Sequence, residues 1–184
     1  MDPRQPLPRL WMMTDERQGN SLFRALNRLP EGGGVVFRHH SLAESGRRRL
    51  FEKVHSLARG RGLVLMLAGE PELAAAWGAH GSHGLCGGRA SAPGLLRSVP
   101  VHSLAELKGS EGAGADFVFL SPVFPTRSHP GVPGLGPAGF AAIAAEARVP
   151  VIALGGMNAN NARSLSELNM YGWGGIDAWA PGAD

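Results

Sequence analysis

The sequence predicts an α/β fold, a (β/α)8 TIM barrel in one domain spanning residues 1–184, with its eighth helix truncated or missing. Three observations predict it. About eight short apolar runs bounded by turn residues alternate with helical patterns along the chain, with no compositional break. The runs beginning near positions 63, 117 and 151 are continuously apolar rather than alternating, which suits strands buried on both faces of a parallel sheet. No glycine fingerprint follows the first run, which places a doubly wound open sheet second.

In chain order, strands are expected at 10–14, 34–38, 63–68, a weak one at 81–84, then 98–102, 117–122, 151–154 and 175–179. Helices are expected at 21–29, where Leu22, Leu26 and Leu29 share a face, and at 42–58, where Leu50, Val54 and Leu57 do. Shorter ones follow at 73–77, 104–111, 140–147 and 160–168. The chain stops about five residues past the last expected strand, whereas such barrels typically run to about 250 residues. An uncovered apolar flank invites a partner, so a homodimer is expected.

Composition narrows the function classes. The chain is 43% hydrophobic and 18% charged, with no apolar run near membrane-spanning length and no apolar core for a secretory signal near Met1, so no membrane association is expected. One cysteine, Cys86, excludes an internal disulfide and fits a reducing, cytoplasmic setting. Net charge is +3 with scattered basic residues; Arg47, Arg48 and Arg49 fall in an expected helix and read as a solvated face, not as a nucleic-acid surface.

Chemistry concentrates at two strand ends. Asp116-Phe-Val-Phe-Leu-Ser-Pro-Val-Phe-Pro-Thr126 and Pro150-Val-Ile-Ala-Leu-Gly-Gly156 are separated by a Gly/Pro-rich loop and an Ala-rich apolar stretch. Hydroxyls, paired glycines and the following Met157-Asn-Ala-Asn-Asn161 are the parts from which phosphate sites are built. Bare glycines let a phosphate reach the main chain; the lesser alternative is that Gly155-Gly156 only turns the chain.

The same segments resemble the thiamine-phosphate synthase family and its thiazole tautomerase branch, which read roughly "ADYV-x-x-GPVFPT-x-TK" and then "PV-x-AIGGI-x-x-x-N". Met12-Met-Thr-Asp15, Val36-Phe-Arg38 and Val101-His-Ser-Leu-Ala-Glu106 are similar to further family signatures, so the resemblance touches nearly the whole chain and is densest from Ser98 to Asn161. It implies a small phosphorylated heterocycle, a thiazole phosphate, as ligand. It places the phosphate on backbone amides after the seventh and eighth strands, at Gly155, Gly156, Ala178 and Trp179. Arg38, Asp15, His102, Thr126 and Ser128 match the family's polar positions.

The departures are selective. The synthase loses pyrophosphate with Mg2+ held by carboxylates, but the matching positions are Ala68 and Gly69, and the second stretch, Gly84-Leu-Cys-Gly-Gly88, contains no carboxylate. Its pyrimidine-reading Gln is Val36, its lysines are His40 and His129, and a Ser is Pro100. No metal and no other cofactor is expected here. The pattern sits closer to the metal-independent tautomerase, whose fifth-strand His matches His102, a residue type suited to moving protons near neutral pH; the plainer role for His102 is to cap a carbonyl. A non-catalytic binding or regulatory protein is the remaining alternative.

Other groups carry weaker signals. His39 or His40, His83, His102 and His129 would lie toward one barrel mouth, where neutral imidazoles bind zinc, though no close paired spacing supports it. His40 and His129 would otherwise replace the lysines as phosphate contacts. Asp177, where the family has small or apolar residues, is expected on the last strand as a base or an orienting group. Cys86 lacks a recognisable base partner, and Trp173 and Trp179 read as packing residues.

Overall fold

A computed structural model describes residues 6–84, 94–128 and 130–180. Eight parallel strands form a closed barrel in sequence order: β1 (Leu10–Met13), β2 (Gly34–Phe37), β3 (Val64–Ala68), β4 (Gly81–His83), β5 (Leu96–Val101), β6 (Phe117–Leu120), β7 (Val151–Ala153) and β8 (Gly172–Gly175). β8 returns to β1, with Leu10 opposite Trp173 and Met12 opposite Gly175. The connections carry α1 (Leu22–Arg28), α2 (Glu44–Gly60), α3 (Pro71–Ala76), α4 (Leu104–Gly112), α5 (Gly136–Ala144) and α6 (Ala159–Ala162). No helix among the described residues is long and apolar enough to cross a membrane.

The barrel interior is filled by Trp11, Met13, Val36, Val64, Met66, Phe117, Phe119 and Ile152, all buried. Trp11 is the largest of them; it packs against Phe117 and Phe119, with ring centroids 5.1 and 5.5 Å away, and its partners on β2 and β8 are the glycines Gly34 and Gly174. A Cβ on Gly34 would lie 2.3 Å from the indole, and one on Gly174 would lie 3.0 Å from the Trp11 Cβ. Outside the strands two apolar layers form. One includes Met12, Leu26, Val35, Phe37, Phe51, Leu65 and Leu67; the other includes Val99, Leu107, Val118, Leu120, Phe140 and Leu165.

Three expectations are corrected. The last strand is Gly172–Gly175, and Asp177–Trp179 is a 3-10 turn after it, so Asp177 is not a strand residue. A strand made of Gly-Trp-Gly-Gly offers no apolar run to detect; a Cβ on Gly172 would lie 2.1 Å from the Arg9 carbonyl oxygen. The expected helix at 160–168 is only Ala159–Ala162 continued by a 3-10 turn, Arg163–Leu165. Arg47 is not a solvated residue: Nε donates to the Arg38 carbonyl at 2.8 Å, another nitrogen donates to the Ala68 carbonyl, and the guanidinium lies over the Trp77 ring.

Trp173 projects from the outer face of β8 and stacks on Trp179, with centroids 5.3 Å apart and planes within 6°. The Trp179 Nε1 donates to the Trp11 carbonyl at 3.0 Å. This pair joins the apolar layer outside β8 and β1.

Candidate active site at the barrel mouth

The C-terminal ends of β6, β7 and β8 build a cup. Past β7 the chain passes through Gly155 and Gly156 at φ of 87° and 63°, a region that suits glycine. Both lie under the loop that follows β6. A Cβ on Gly155 would meet the Pro122 Cα at 2.7 Å, and one on Gly156 the Pro125 carbonyl oxygen at 2.6 Å. Val123 N–H donates to the Leu154 carbonyl and Phe124 N–H to the Gly155 carbonyl, at 2.9 and 3.0 Å. The glycines therefore do turn the chain and admit a neighbour. Among the described residues, however, neither the Gly155 nor the Gly156 amide has a hydrogen-bond acceptor.

The helix start beyond them supplies less than its sequence suggests. The Asn158 side chain accepts from the amides of Asn160 and Asn161, at 3.0 and 2.9 Å, and the Asn161 side chain accepts from the Asn158 amide. This capping box consumes donors that the Asn158–Asn161 motif offered to a phosphate.

A cavity open to solvent lies over the glycines. Arg38, Ser121, Thr126, Ser128, Gly175 and Asp177 contribute to its wall, with Met13, Leu154 and Ile176 forming an apolar floor. Around it runs a chain of charges. Arg38 donates to Asp15 Oδ2 at 2.6 Å and to the Thr14 carbonyl at 2.8 Å. Arg17 donates to Asp15 Oδ1 at 2.7 Å and to Ser128 Oγ at 3.1 Å. Across the mouth, Arg127 grips Asp177, with NH2 2.8 Å from Oδ1 and Nε donating to Oδ2 at 3.3 Å. Burial works to raise the Asp15 carboxyl, but hydrogen bonds from Arg17 and the charges of Arg38 and Arg17 outweigh it and hold it below its usual range.

Beside the cup, at the end of β5, His102 Nδ1 lies 2.6 Å from the Ser121 carbonyl oxygen. A carbonyl oxygen only accepts, so Nδ1 carries the proton and Nε2 is the basic nitrogen of the neutral ring. The carbonyl-capping role is therefore present in this residue. His102 is exposed and does not itself line the cavity, whereas Ser121 does.

On the other side of Arg38 a second recess is lined by His40, Ala68, Gly69, Glu70, His83, Gly84 and Pro100. His83 Nδ1 is 2.9 Å from Ser98 Oγ and its ring meets Phe119 edge-on. Burial first, then the charges of Arg38 and His40, push its pKa down to about 3, so it stays neutral. His40 is lowered as well, by burial and then by Arg47 and Arg38. His39 turns away, at φ 45°, to stack on Phe37 and meet Thr14 Oγ1 at 2.9 Å. Among the described residues no three of His, Cys, Asp and Glu cluster to hold a metal.

Arg38, Thr126, Ser128, Gly155, Gly156 and Asp177 therefore meet at one cavity, and Asp15 orients Arg38. Ala178 and Trp179 form the turn after β8, with the Trp179 indole in the core. His129 and Cys86 lie outside the described residues. Sequence reasoning missed Arg17 and Arg127, and took Ser121 only as part of the strand-end motif. A charged residue in an expected loop gives no sign of its partner, but Arg127 sits inside the Pro-Thr-x-Ser motif, and that placement was a usable signal.

Residues 10–178 match the family model described as thiamine monophosphate synthase. The chain belongs to this family. Thiamine monophosphate synthase family relatives include a putative thiamine-phosphate synthase 2 of Aquifex aeolicus, 28% identical over 92% of this chain and 96% of that one. A thiamine-phosphate synthase of Bacillus velezensis is 27% identical over 84% of this chain and 75% of that one. Among solved structures, the thiamine phosphate pyrophosphorylase of Pyrococcus furiosus superposes with a TM-score of 0.80 at 26% identity, covering 95% of this chain and 88% of that one.

Of the two stretches where the family would hold Mg2+, Ala68 and Gly69 offer no carboxylate, Glu70 is the one acidic residue among the described residues lining that recess, and residues 85–88 of the other stretch lie outside the described residues. Ala68 and Gly69 stand at the end of β3, the Ala68 carbonyl is taken by the Arg47 guanidinium, and Arg38 lines the same recess. A divalent cation needs several oxygen donors, here in a place already held by cations.

Proposed function

We propose that this chain binds a thiazole phosphate, or a similar small phosphorylated heterocycle, and acts on it without Mg2+. The observation that carries the proposal is the cavity over Gly155 and Gly156, where amides with no acceptor among the described residues, the Thr126 and Ser128 hydroxyls and Arg38 face an apolar floor. Amides and hydroxyls suit the phosphate, and Met13, Leu154 and Ile176 suit a flat ring. Isothermal titration with the thiazole phosphate and with its unphosphorylated alcohol tests this. Binding of the phosphate in EDTA, with the alcohol much weaker, is expected; equal binding of both, or none, rejects the cup.

For the chemistry we favour a proton-transfer isomerisation of the tautomerase kind. The placement of His102 supports it, because its Nδ1–H donates to Ser121, a residue of the cavity wall. In this mechanism the cup holds the phosphate, Arg38 is kept charged and oriented by Asp15, and His102 Nε2 takes a proton from the ligand and returns it at another atom. Nothing in that sequence requires a metal. Isomerisation of the thiazole phosphate carboxylate in EDTA, lost in His102→Ala, is expected. Mg2+-dependent formation of thiamine phosphate from the pyrimidine pyrophosphate and thiazole phosphate would overturn it in favour of the synthase. Tight binding with neither activity would leave a binding protein.

A further inference from the structure

We infer that Arg127 is a phosphate-binding residue of the cup and that Asp177 is its internal competitor, a carboxylate that holds the guanidinium until a ligand phosphate displaces it. The inference rests on the proposal that the cup takes a phosphate monoester.

Asp177 lines the cavity directly, together with Thr126, Ser128, Gly155 and Gly156. A bare carboxylate is ill suited to such a wall, since a phosphate monoester is close to a dianion at neutral pH and the two repel. Arg127 neutralises it through the two-pronged contact that a guanidinium also makes with phosphate. The guanidinium therefore stands at the rim of the cup, carried on the loop after β6 between two lining residues. Arg17, which donates to Ser128, also feels the charge of Asp177, so that carboxylate is flanked by cations.

The pair is suited to exchange rather than to holding the fold together. The Arg127 side chain is 74% exposed and Asp177 53%, so the contact is screened by water and salt. A phosphate seated on the Gly155 and Gly156 amides offers the same guanidinium more charge and more acceptor oxygens. Loss of the Asp177 contact would then be offset by the new one, and the Thr126–Ser128 segment would be drawn onto the ligand.

The test is titration of wild type, Asp177→Asn, Arg127→Gln and the double variant with inorganic phosphate, thiazole phosphate and the thiazole alcohol, with melting temperature recorded for each. Asp177→Asn is expected to tighten both phosphates about tenfold and Arg127→Gln to weaken them about tenfold, with the alcohol unchanged. In the Arg127→Gln background the gain from Asp177→Asn should shrink. Unchanged or weaker phosphate binding by Asp177→Asn overturns the exchange, as does an equal effect on the alcohol. If Arg127→Gln unfolds, the Asp177→Asn result alone decides. Wild type that takes inorganic phosphate but not thiazole phosphate rejects the proposed ligand and leaves the exchange to be judged on phosphate. No affinity for either phosphate overturns both.

Discussion

The Arg47 guanidinium donates to the carbonyl oxygen of Ala68, so a fixed cation stands at the end of β3, where the synthase signature has a metal carboxylate. Its other contacts, to the Arg38 carbonyl and the face of Trp77, keep it there.

Magnesium should therefore do little. Several millimolar MgCl2 is expected to move the melting temperature no further than NaCl of equal ionic strength. A cation bound at a hundred times its dissociation constant would add about 2.7 kcal/mol and a shift of several degrees. Such a shift would show that a site exists.

His83 predicts the acid limb of stability. Its folded pKa is pushed from 6.5 to about 3, so the unfolded chain binds a proton in that window and the folded one does not. Stability is complete above the unfolded value and falls as pH drops from 6.5 toward 3, by up to about 1.4 kcal/mol per pH unit from this group. His83→Gln is expected to flatten the slope in urea unfolding between pH 6.5 and 4; an unchanged slope contradicts the shift. His39, His40 and His80 are lowered in the same direction and will keep a residual slope in the variant.

Gly156→Ala should damage the cup more than the barrel. The new methyl would meet the Pro125 carbonyl oxygen at 2.6 Å, at a φ of 63° that disfavours any Cβ. A loss of about 1–3 kcal/mol in chemical denaturation is expected, with phosphate binding lost outright. Full affinity in this variant would mean that the phosphate sits elsewhere.

Gly34→Ala tests the interior. A Cβ there would lie 2.3 Å from the Trp11 ring, which is fully buried. Overpacking of this kind costs about 1–3 kcal/mol, and Trp11→Leu should relieve part of it in the double variant. Additive losses would show that the two do not share the space.

Continuous apolar runs such as Phe117–Leu120 announced their strands, because burial on both faces leaves no polar alternation to confuse the pattern. β8 was misplaced by the same logic, expected at 175–179 and found at Gly172–Gly175. Gly172 and Gly174 are crowded by Arg9 and Trp11 from the β1 side, and that crowding is a property of barrel closure. The glycine pair and its phosphate chemistry were legible; the consumption of the Asn158 helix start by its own capping box was not.

By itself the sequence determined the strand–helix alternation, the family through the Ser121–Thr126 and Gly155–Gly156 motifs, and the absence of carboxylates at Ala68 and Gly69. Only the tertiary structure decided which charges meet. Arg17 with Ser128, Arg127 with Asp177 and Arg47 with Ala68 join residues 111, 50 and 21 positions apart. Such pairs leave no periodic trace, because a side chain at a strand end or in a loop finds its partner only when the barrel closes.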